Sequence, residues 1–282
     1  MNNSETKFET IITSQSRFFS FNFKELWTYK DLIYFFVKRD FVAVYKQTIL
    51  GPLWYLVQPI VTSFVMILVF TKIARLDTGL IPPVLFYFSG NMLWMYFADN
   101  LIRTSDTFIT NSSIFGKVYF PRLTAPISSA LSGMISFVIQ YFLFFCIYLY
   151  YCFSSNLEFK YYIFFTPFLL IYLAVLSFSF GILISALTTK YRDLKFVLKF
   201  GLQLWMYASP IAYSLEQVPN KYLSIYMFNP LVPVIEIFRF FHFGYTLLSP
   251  IHLIANLVFL TILFFGSILL FNKVERSFID SV

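Results

Sequence analysis

Few residues in this chain are equipped for chemistry, and their spacing excludes most reactions. His242 and His252 lie ten residues apart with no cysteine or acid cluster beside them, so no HExxH or structural zinc site can be assembled and no metal is expected. The sequence contains no GxxxxGK[ST] phosphate cradle and no GxSxG nucleophile turn, which removes ATP binding by that route and that class of hydrolase. Cys146 and Cys152 are six residues apart, a spacing that does not stack them on one helix face, and they read as small apolar core residues. The acids near apolar stretches each have a base within one helical turn. Asp99 precedes Arg103 by four residues and Glu236 precedes Arg239 by three, which favours local ion pairs over a proton relay. A non-catalytic chain is therefore expected, and ion-coupled transport has little support.

The surrounding sequence is 59% hydrophobic and only 12% charged over 282 residues, with a mean hydropathy of +0.72. Soluble domains run near 25% charged, so a soluble fold is excluded. A charge at the centre of a membrane helix costs about 2.5–3.5 kcal/mol on insertion scales, so charge-free runs locate membrane crossings. Six such runs are long enough to consider: Gln47–Thr71, Thr78–Ala98, Leu123–Leu157, Tyr161–Thr189, Phe200–Leu215 and Phe240–Asn272. The fifth, at 16 residues, is short against the roughly 20 needed to cross. Tyr222–Ile235 is apolar but broken by Asn229-Pro230 and Pro233, and reads as a re-entrant or interfacial hairpin within 216–239, placed beside a pathway. The expected fold is an all-α integral membrane protein whose six transmembrane helices occupy 47–272.

Lys and Arg placement orients it. Sixteen fall in 1–50, 103–123, 190–199 and the 273–282 tail, whereas Lys72, Arg75, Lys160, Lys221 and Arg239 fall on the other side. This positive-inside bias puts both termini in the cytoplasm and accounts for the net charge of +7 without nucleic acid. No cleavable signal peptide is expected, because charges recur throughout the first 45 residues. After a tail over 1–20, the segment 21–46 carries Leu26, Ile33, Val37, Phe41 and Val44 near a helical period, with Lys24, Lys30, Lys38 and Arg39 between them and Asn22 as a cap. That is the pattern of a helix lying in the cytoplasmic interface.

Segment 103–123 is polar, with Asn111, Ser112 and Ser113 as helix caps and Pro121 as a break. The residues alone leave two readings open, a plain connecting loop or a short helix presenting Phe115, Lys117 and Tyr119 to a soluble partner. Gln58, Asn91, Trp54, Tyr55, Trp94 and Tyr96 enter the apolar runs. Interfacial anchoring explains most Trp and Tyr in membrane proteins, while a pore lined by aromatic faces suits sugars.

Arg39-Asp40, Tyr45 to Gly51 with Trp54, Gly90 to Trp94, Lys117-Val118-Tyr119-Phe120-Pro121-Arg122, Tyr191-Arg192-Asp193, Ser209-Pro210-Ile211, Tyr213 with Pro219, and Phe228-Asn229-Pro230 occur in that order. Together they resemble the membrane subunit of type-2 ABC exporters of polysaccharide, the O-antigen, capsule and teichoic-acid permeases, from about Leu26 to the C-terminus. Val42 and Val44 stand where that family commonly has Lys and Arg, and Leu93 where it has Pro. The resemblance implies a homodimer in the bacterial inner membrane with two cytoplasmic ABC ATPase subunits. Those subunits bind ATP and Mg, leaving no cofactor in this chain. It also implies a channel between the copies for a polysaccharide on an undecaprenyl-type lipid.

Within this family 106–122 forms the coupling helix, which makes Ser112, Ile114, Phe115, Lys117, Tyr119 and Arg122 the expected ATPase contacts. Trp27, Lys38, Arg39, Tyr45 and Lys46 would mark the interfacial helix in its membrane lipids. Asn229 and Pro230 would mark a pair of short helices dipping in from the outer face. Trp54, Tyr55, Gln58, Asn91, Trp94 and Tyr96 are the expected glycan-facing residues, and Arg192 with Asp193 a structural pair. A drug or lipid exporter of the same class is the alternative. An ion-coupled lipid-linked-glycan flippase and a membrane-embedded transferase or phosphatase fit less well.

Overall fold

The computed structural model describes residues 23–46, 48–115, 117–118, 120–155, 157–188, 193–246 and 248–279. Among these there are helices and turns and no strand, as expected where every backbone N–H and C=O must be satisfied without water. Four helical stretches are long and apolar enough to cross a membrane: Gly51–Ile73, Thr124–Ser154, Tyr161–Thr188 and Pro250–Lys273. The chain is therefore a multi-pass membrane protein.

Helices α1 (Phe23–Thr28) and α2 (Lys30–Tyr45) precede the first crossing. The single helix expected over 21–46 is thus two, because the chain turns at Tyr29, whose N–H donates to Leu26 O at 3.1 Å. On one side Leu26 and Phe36 are buried, while Trp27, Tyr34 and Phe35 stay exposed on the other. This leaves aromatic side chains available to the interface. The expected cap Asn22 lies outside the described residues.

The first crossing contains α3 (Trp54–Met66), entered through a 3₁₀ turn and prolonged by a π-helical stretch, Ile67–Ile73. Pro59 lies inside α3. Its missing N–H removes one ladder bond, and its own carbonyl accepts from Asn91 Nδ2 at 3.4 Å.

Helix α4 (Pro83–Ser105) occupies the centre. It is long enough to cross, at about 34 Å, but polar, and sixteen of its 23 described residues are buried. Its Asn and Ser groups are answered by protein rather than lipid, as where Asn100 Nδ2 donates to Ser177 Oγ at 2.6 Å. Packing is tight on small residues. A Cβ on Gly181 would meet Thr104 Cβ at 2.5 Å, and one on Gly133 would meet Tyr96 Cε2 at 3.3 Å. Close approach over small residues supplies the packing that a hydrophobic effect cannot supply in lipid.

Two short helices, α5 (Thr107–Thr110) and α6 (Ser112–Phe115), lead to α7 (Thr124–Ser154). Helix α8 (Thr166–Thr188) packs against α4, α7 and a later helix, α12 (Pro250–Ile279). Its span is 56% buried against 17–22% for the other three, so it is the inner one. Helix α9 (Leu194–Tyr207) has 14 residues, about 21 Å, less than the roughly 30 Å of hydrocarbon. Helices α10 (Asn220–Tyr226) and α11 (Leu231–Phe243) flank the Asn229-Pro230 break. The paired short helices therefore end at Phe243 rather than near 239. The last long helix begins at Pro250 rather than Phe240, because Gly244 closes α11 in the left-handed region at φ +79°.

Candidate functional site

The segment between α4 and α7 is tied to three other parts of the fold. At its start, Lys195 Nζ of α9 lies 2.6 Å from Asp106 Oδ1, an ion pair whose angle falls outside hydrogen-bond geometry. In α5 the Phe108 side chain is buried and stacks on Phe271 of α12 with ring centroids 5.0 Å apart. Asn111 sits between the short helices, donating from Nδ2 to Thr107 O at 3.0 Å and accepting at Oδ1 from Arg39 of α2 at 3.5 Å. Phe115 and Phe120 pack together at 5.4 Å, Phe36 of α2 meets Phe120 edge-on at 5.9 Å, and Arg122 lies over the Phe115 ring at 5.8 Å. Ile109, Lys117 and Val118 are left exposed. A helical step anchored on one side and open on the other can carry a displacement into α2, α9 and α12 together.

The second constellation is the hairpin break. Asn229 uses both ends of its amide. Nδ2 donates to Ala208 O at 2.8 Å and Ser209 Oγ at 2.9 Å, while Oδ1 accepts from Leu231 N at 3.1 Å and Trp205 Nε1 at 2.9 Å. Pro230 O accepts from Asn256 Nδ2 of α12 at 3.0 Å, and Tyr172 of α8 donates to Asn256. The proline-broken chain has its freed backbone groups satisfied by neighbouring helices, the condition for such a break at membrane depth. Below the break, Arg239 is 2% exposed, pairs with Glu236 Oε1 at 3.2 Å and stacks on Phe86 with its guanidinium carbon 3.7 Å from the ring centroid.

Outside the crossings, Lys160 Nζ lies 2.5 Å from Glu158 Oε2, and this partner holds the Glu158 carboxyl below its usual range. Tyr245 donates to Glu216 Oε1 at 2.8 Å, a bond that raises the phenol.

Several residues singled out from sequence lie elsewhere than expected. Asn91, Trp94 and Tyr96 do not reach the surface of the subunit. They are buried within the subunit at 1%, 7% and 5% exposure, because α4 is enclosed by α3, α7, α8 and α11. Trp54 and Gln58 do stay open, and Tyr55 is half-buried and stacks on Phe41 at 6.2 Å. Phe115 and Ile114 are not presented outward but half-buried against α2 and its neighbours. Asp99 and Arg103 form no ion pair within 4.0 Å; at this end of α4 it is Asp106 that finds a base, Lys195. Arg239, counted with the loop charges, belongs to the core, where Glu236 and Phe86 offset its burial. Cys146 and Cys152 are free, but Cys146 is exposed rather than in the core.

Trp27 and Lys38 are exposed and Arg39 half-buried, pairing with Asp40 at 2.8 Å. Lys46 is exposed just past α2. Tyr119 and Arg192 lie outside the described residues, as do the side chains of Tyr45 and Ser112, and Asp193 is exposed at the start of α9. No group of His, Cys, Asp and Glu among the described residues is arranged to hold a metal. Sequence reasoning missed the links made by Asp106, Lys195, Trp205 and Asn256, since each depends on residues 24 to 89 positions away.

A model of the ABC-2 type transporter family matches residues 31–243, from the start of α2 to the end of α11. The chain belongs to that family. This ABC-2 transporter is similar to two O-antigen export system permease proteins, both named RfbA, from Klebsiella pneumoniae. They are 28% and 26% identical to it, and each match covers 89% of this chain and 94% of the relative. It is also similar to the O-antigen export system permease protein RfbA of Myxococcus xanthus, 22% identical over 92% of this chain and 98% of that protein. The transporter's two constellations, the step around Phe108 and Asn111 and the break at Asn229, both lie within the family match.

Proposed function

We propose that this chain is the non-catalytic membrane subunit of an ATP-driven exporter that moves a lipid-linked, O-antigen-like polysaccharide across the bacterial inner membrane. The observation that carries this reading is the similarity to O-antigen export permeases along about nine-tenths of the chain. Two copies form the working unit, with a channel between them and an ATPase subunit beneath each. The exposed residues Ile109, Lys117 and Val118 make the segment around 106–122 the docking step for that ATPase, which supplies the ATP and Mg. The Lys and Arg bias supports cytoplasmic termini. Six crossings follow if α4 is counted despite its polarity and if α9 is completed by the hairpin that Asn229 binds to its end. The hairpin α10–α11 is then the re-entrant element on the outer side.

In this mechanism, ATP-driven closure of the partner dimer pushes on the coupling step. The push shifts α4 and α7, and the channel between copies opens for the polymer. A ligand-driven change of this kind needs different contacts in the two states, and the anchored step supplies them through Asp106, Phe108 and Asn111. Co-expression with candidate ATPase subunits, reconstitution in liposomes and measurement of ATP-dependent delivery of a labelled lipid-linked polysaccharide test the proposal. Delivery without ATP, or ATP hydrolysis by this chain alone, would sink it.

A further inference from the structure

We propose that α9 is a connecting rod between the coupling step and the hairpin break, with Asp106 and Lys195 as its inner joint and Trp205 and Asn229 as its outer joint. The proposal rests on the exporter reading above and adds the residues that carry motion through the subunit.

The inner joint is the Lys195–Asp106 pair at 2.6 Å, whose side chains are 29% and 31% exposed. Pairs this open contribute only about 0–1 kcal/mol to stability. Lys195 also sits at the unfavoured end of its helix, in the first turn of α9, where the dipole opposes it by about 0.3–1 kcal/mol. Asp106 ends α4 and is at the same time the N-cap residue of α5, where its side chain makes no capping bond. Local helix energetics thus give no reason for Lys195, whereas a link between the two elements does.

The outer joint is better buried. Trp205 lies edge-on between Phe97 and Phe180, both at 5.2 Å, and its indole N–H donates to Asn229 Oδ1. Between the joints α9 is almost unsupported. Among the described residues of this helix Leu202 alone is buried, and Phe196, Val197, Phe200 and Leu204 are exposed. A 14-residue helix is about 21 Å of continuous hydrogen-bonded rod, so displacing its inner end moves its outer end. Within the subunit only Leu202, with Leu198 beside it, ties the middle to the core. Helix α4, enclosed along its length, is a poorer carrier.

The complete exporter, permease with its ATPase subunit in liposomes, provides the test. ATP-dependent polysaccharide delivery by the wild type establishes the exporter reading first, and its absence would remove that reading independently. Given delivery, Asp106→Lys and Lys195→Asp each lower export at least about fivefold, the scale of ordinary coupling energies. Thermal stability and ATP hydrolysis by the complex stay near wild type, so more ATP is spent per polymer. The double charge swap, which restores the pair, recovers export. Trp205→Phe keeps the ring packing, removes the N–H, and uncouples in the same way. Single variants that export normally, a double swap no better than the singles, or a Trp205→Phe exporter with unchanged ATP use per polymer would each overturn the proposal.

Discussion

Trp205 Nε1 donates to Asn229 Oδ1 at 2.9 Å, joining the end of α9 to the break between α10 and α11. The same Asn229 donates from Nδ2 to Ala208 O and Ser209 Oγ, so its orientation is fixed by two donors and two acceptors. Asn229→Asp keeps the shape but replaces the donor end by oxygen facing a carbonyl. It is expected to destabilise as much as Asn229→Ala, by about 1–3 kcal/mol, the cost of unsatisfied partly buried polar groups. Thermal unfolding of the purified protein in detergent measures this. An Asp variant as stable as wild type would show that the bonds to α9 contribute nothing.

The buried pair on α11 allows a sharper test. Glu236 and Arg239 are both shielded, at 6% and 2% exposure, and Arg239 has Phe86 against its guanidinium. Glu236→Gln strands a buried cation, and losses of about 3–5 kcal/mol are typical of broken buried pairs. Replacing both residues, Glu236→Leu with Arg239→Met, removes the charges together and should recover most of the folded yield. Comparison of monodisperse protein from the two variants by size-exclusion chromatography decides it. A double variant that folds no better than Glu236→Gln contradicts the pairing argument.

How much of this was legible in sequence follows from the range of each interaction. The crossings at Leu123–Leu157 and Tyr161–Thr189 correspond closely to Thr124–Ser154 and Tyr161–Thr188, because excluding charge from hydrocarbon is a local rule. The Asn229-Pro230 break was also visible, since proline acts on its own helix. What holds the break was not: Trp205, Ser209 and Asn256 reach it across the fold. Helix rotation was hidden for the same reason. Asn91, Trp94 and Tyr96 have pore-lining chemistry, but α3, α7 and α8 enclose them, and no spacing in α4 announces that. Asp99 and Arg103 have ion-pair spacing and no ion pair, whereas Asp106 pairs with a residue 89 positions away.

In the proposed coupling step, residues that hold the segment differ from residues left open to the proposed partner. Phe115 contacts Phe108 at 5.9 Å and Phe120 at 5.4 Å, while Lys117 is exposed. Phe115→Ala is therefore expected to lower the melting temperature, at a cost of about 1–3 kcal/mol for a half-buried aromatic. Lys117→Glu should leave melting unchanged, within about 0.5 kcal/mol, and weaken copurification of the ATPase. The opposite pattern, a Phe115 variant of normal stability that fails only in ATPase binding, would place the ring in the interface.

Close packing of α8 on α4 turns on one missing methyl group. A Cβ at Gly181 would lie 2.5 Å from Thr104 Cβ, 2.8 Å from Thr104 Cγ2 and 3.1 Å from Leu101 O, whereas one at Gly266 meets nothing within 4 Å. Gly181→Ala must push the two helices apart, losing dispersion contacts along the most buried of the four long apolar spans. Overpacking of this kind typically costs about 1–3 kcal/mol. Gly266→Ala should be neutral or slightly stabilising, because alanine is the better helix former by about 1 kcal/mol. Adding Thr104→Ser to Gly181→Ala removes Cγ2 but leaves Cβ and the Leu101 carbonyl in place, so the pair is expected to stay destabilised. Melting curves of the four proteins in one detergent check the series. Full rescue by Thr104→Ser would mean that the contact with the side-chain methyl, and not the approach of the helices themselves, sets the spacing.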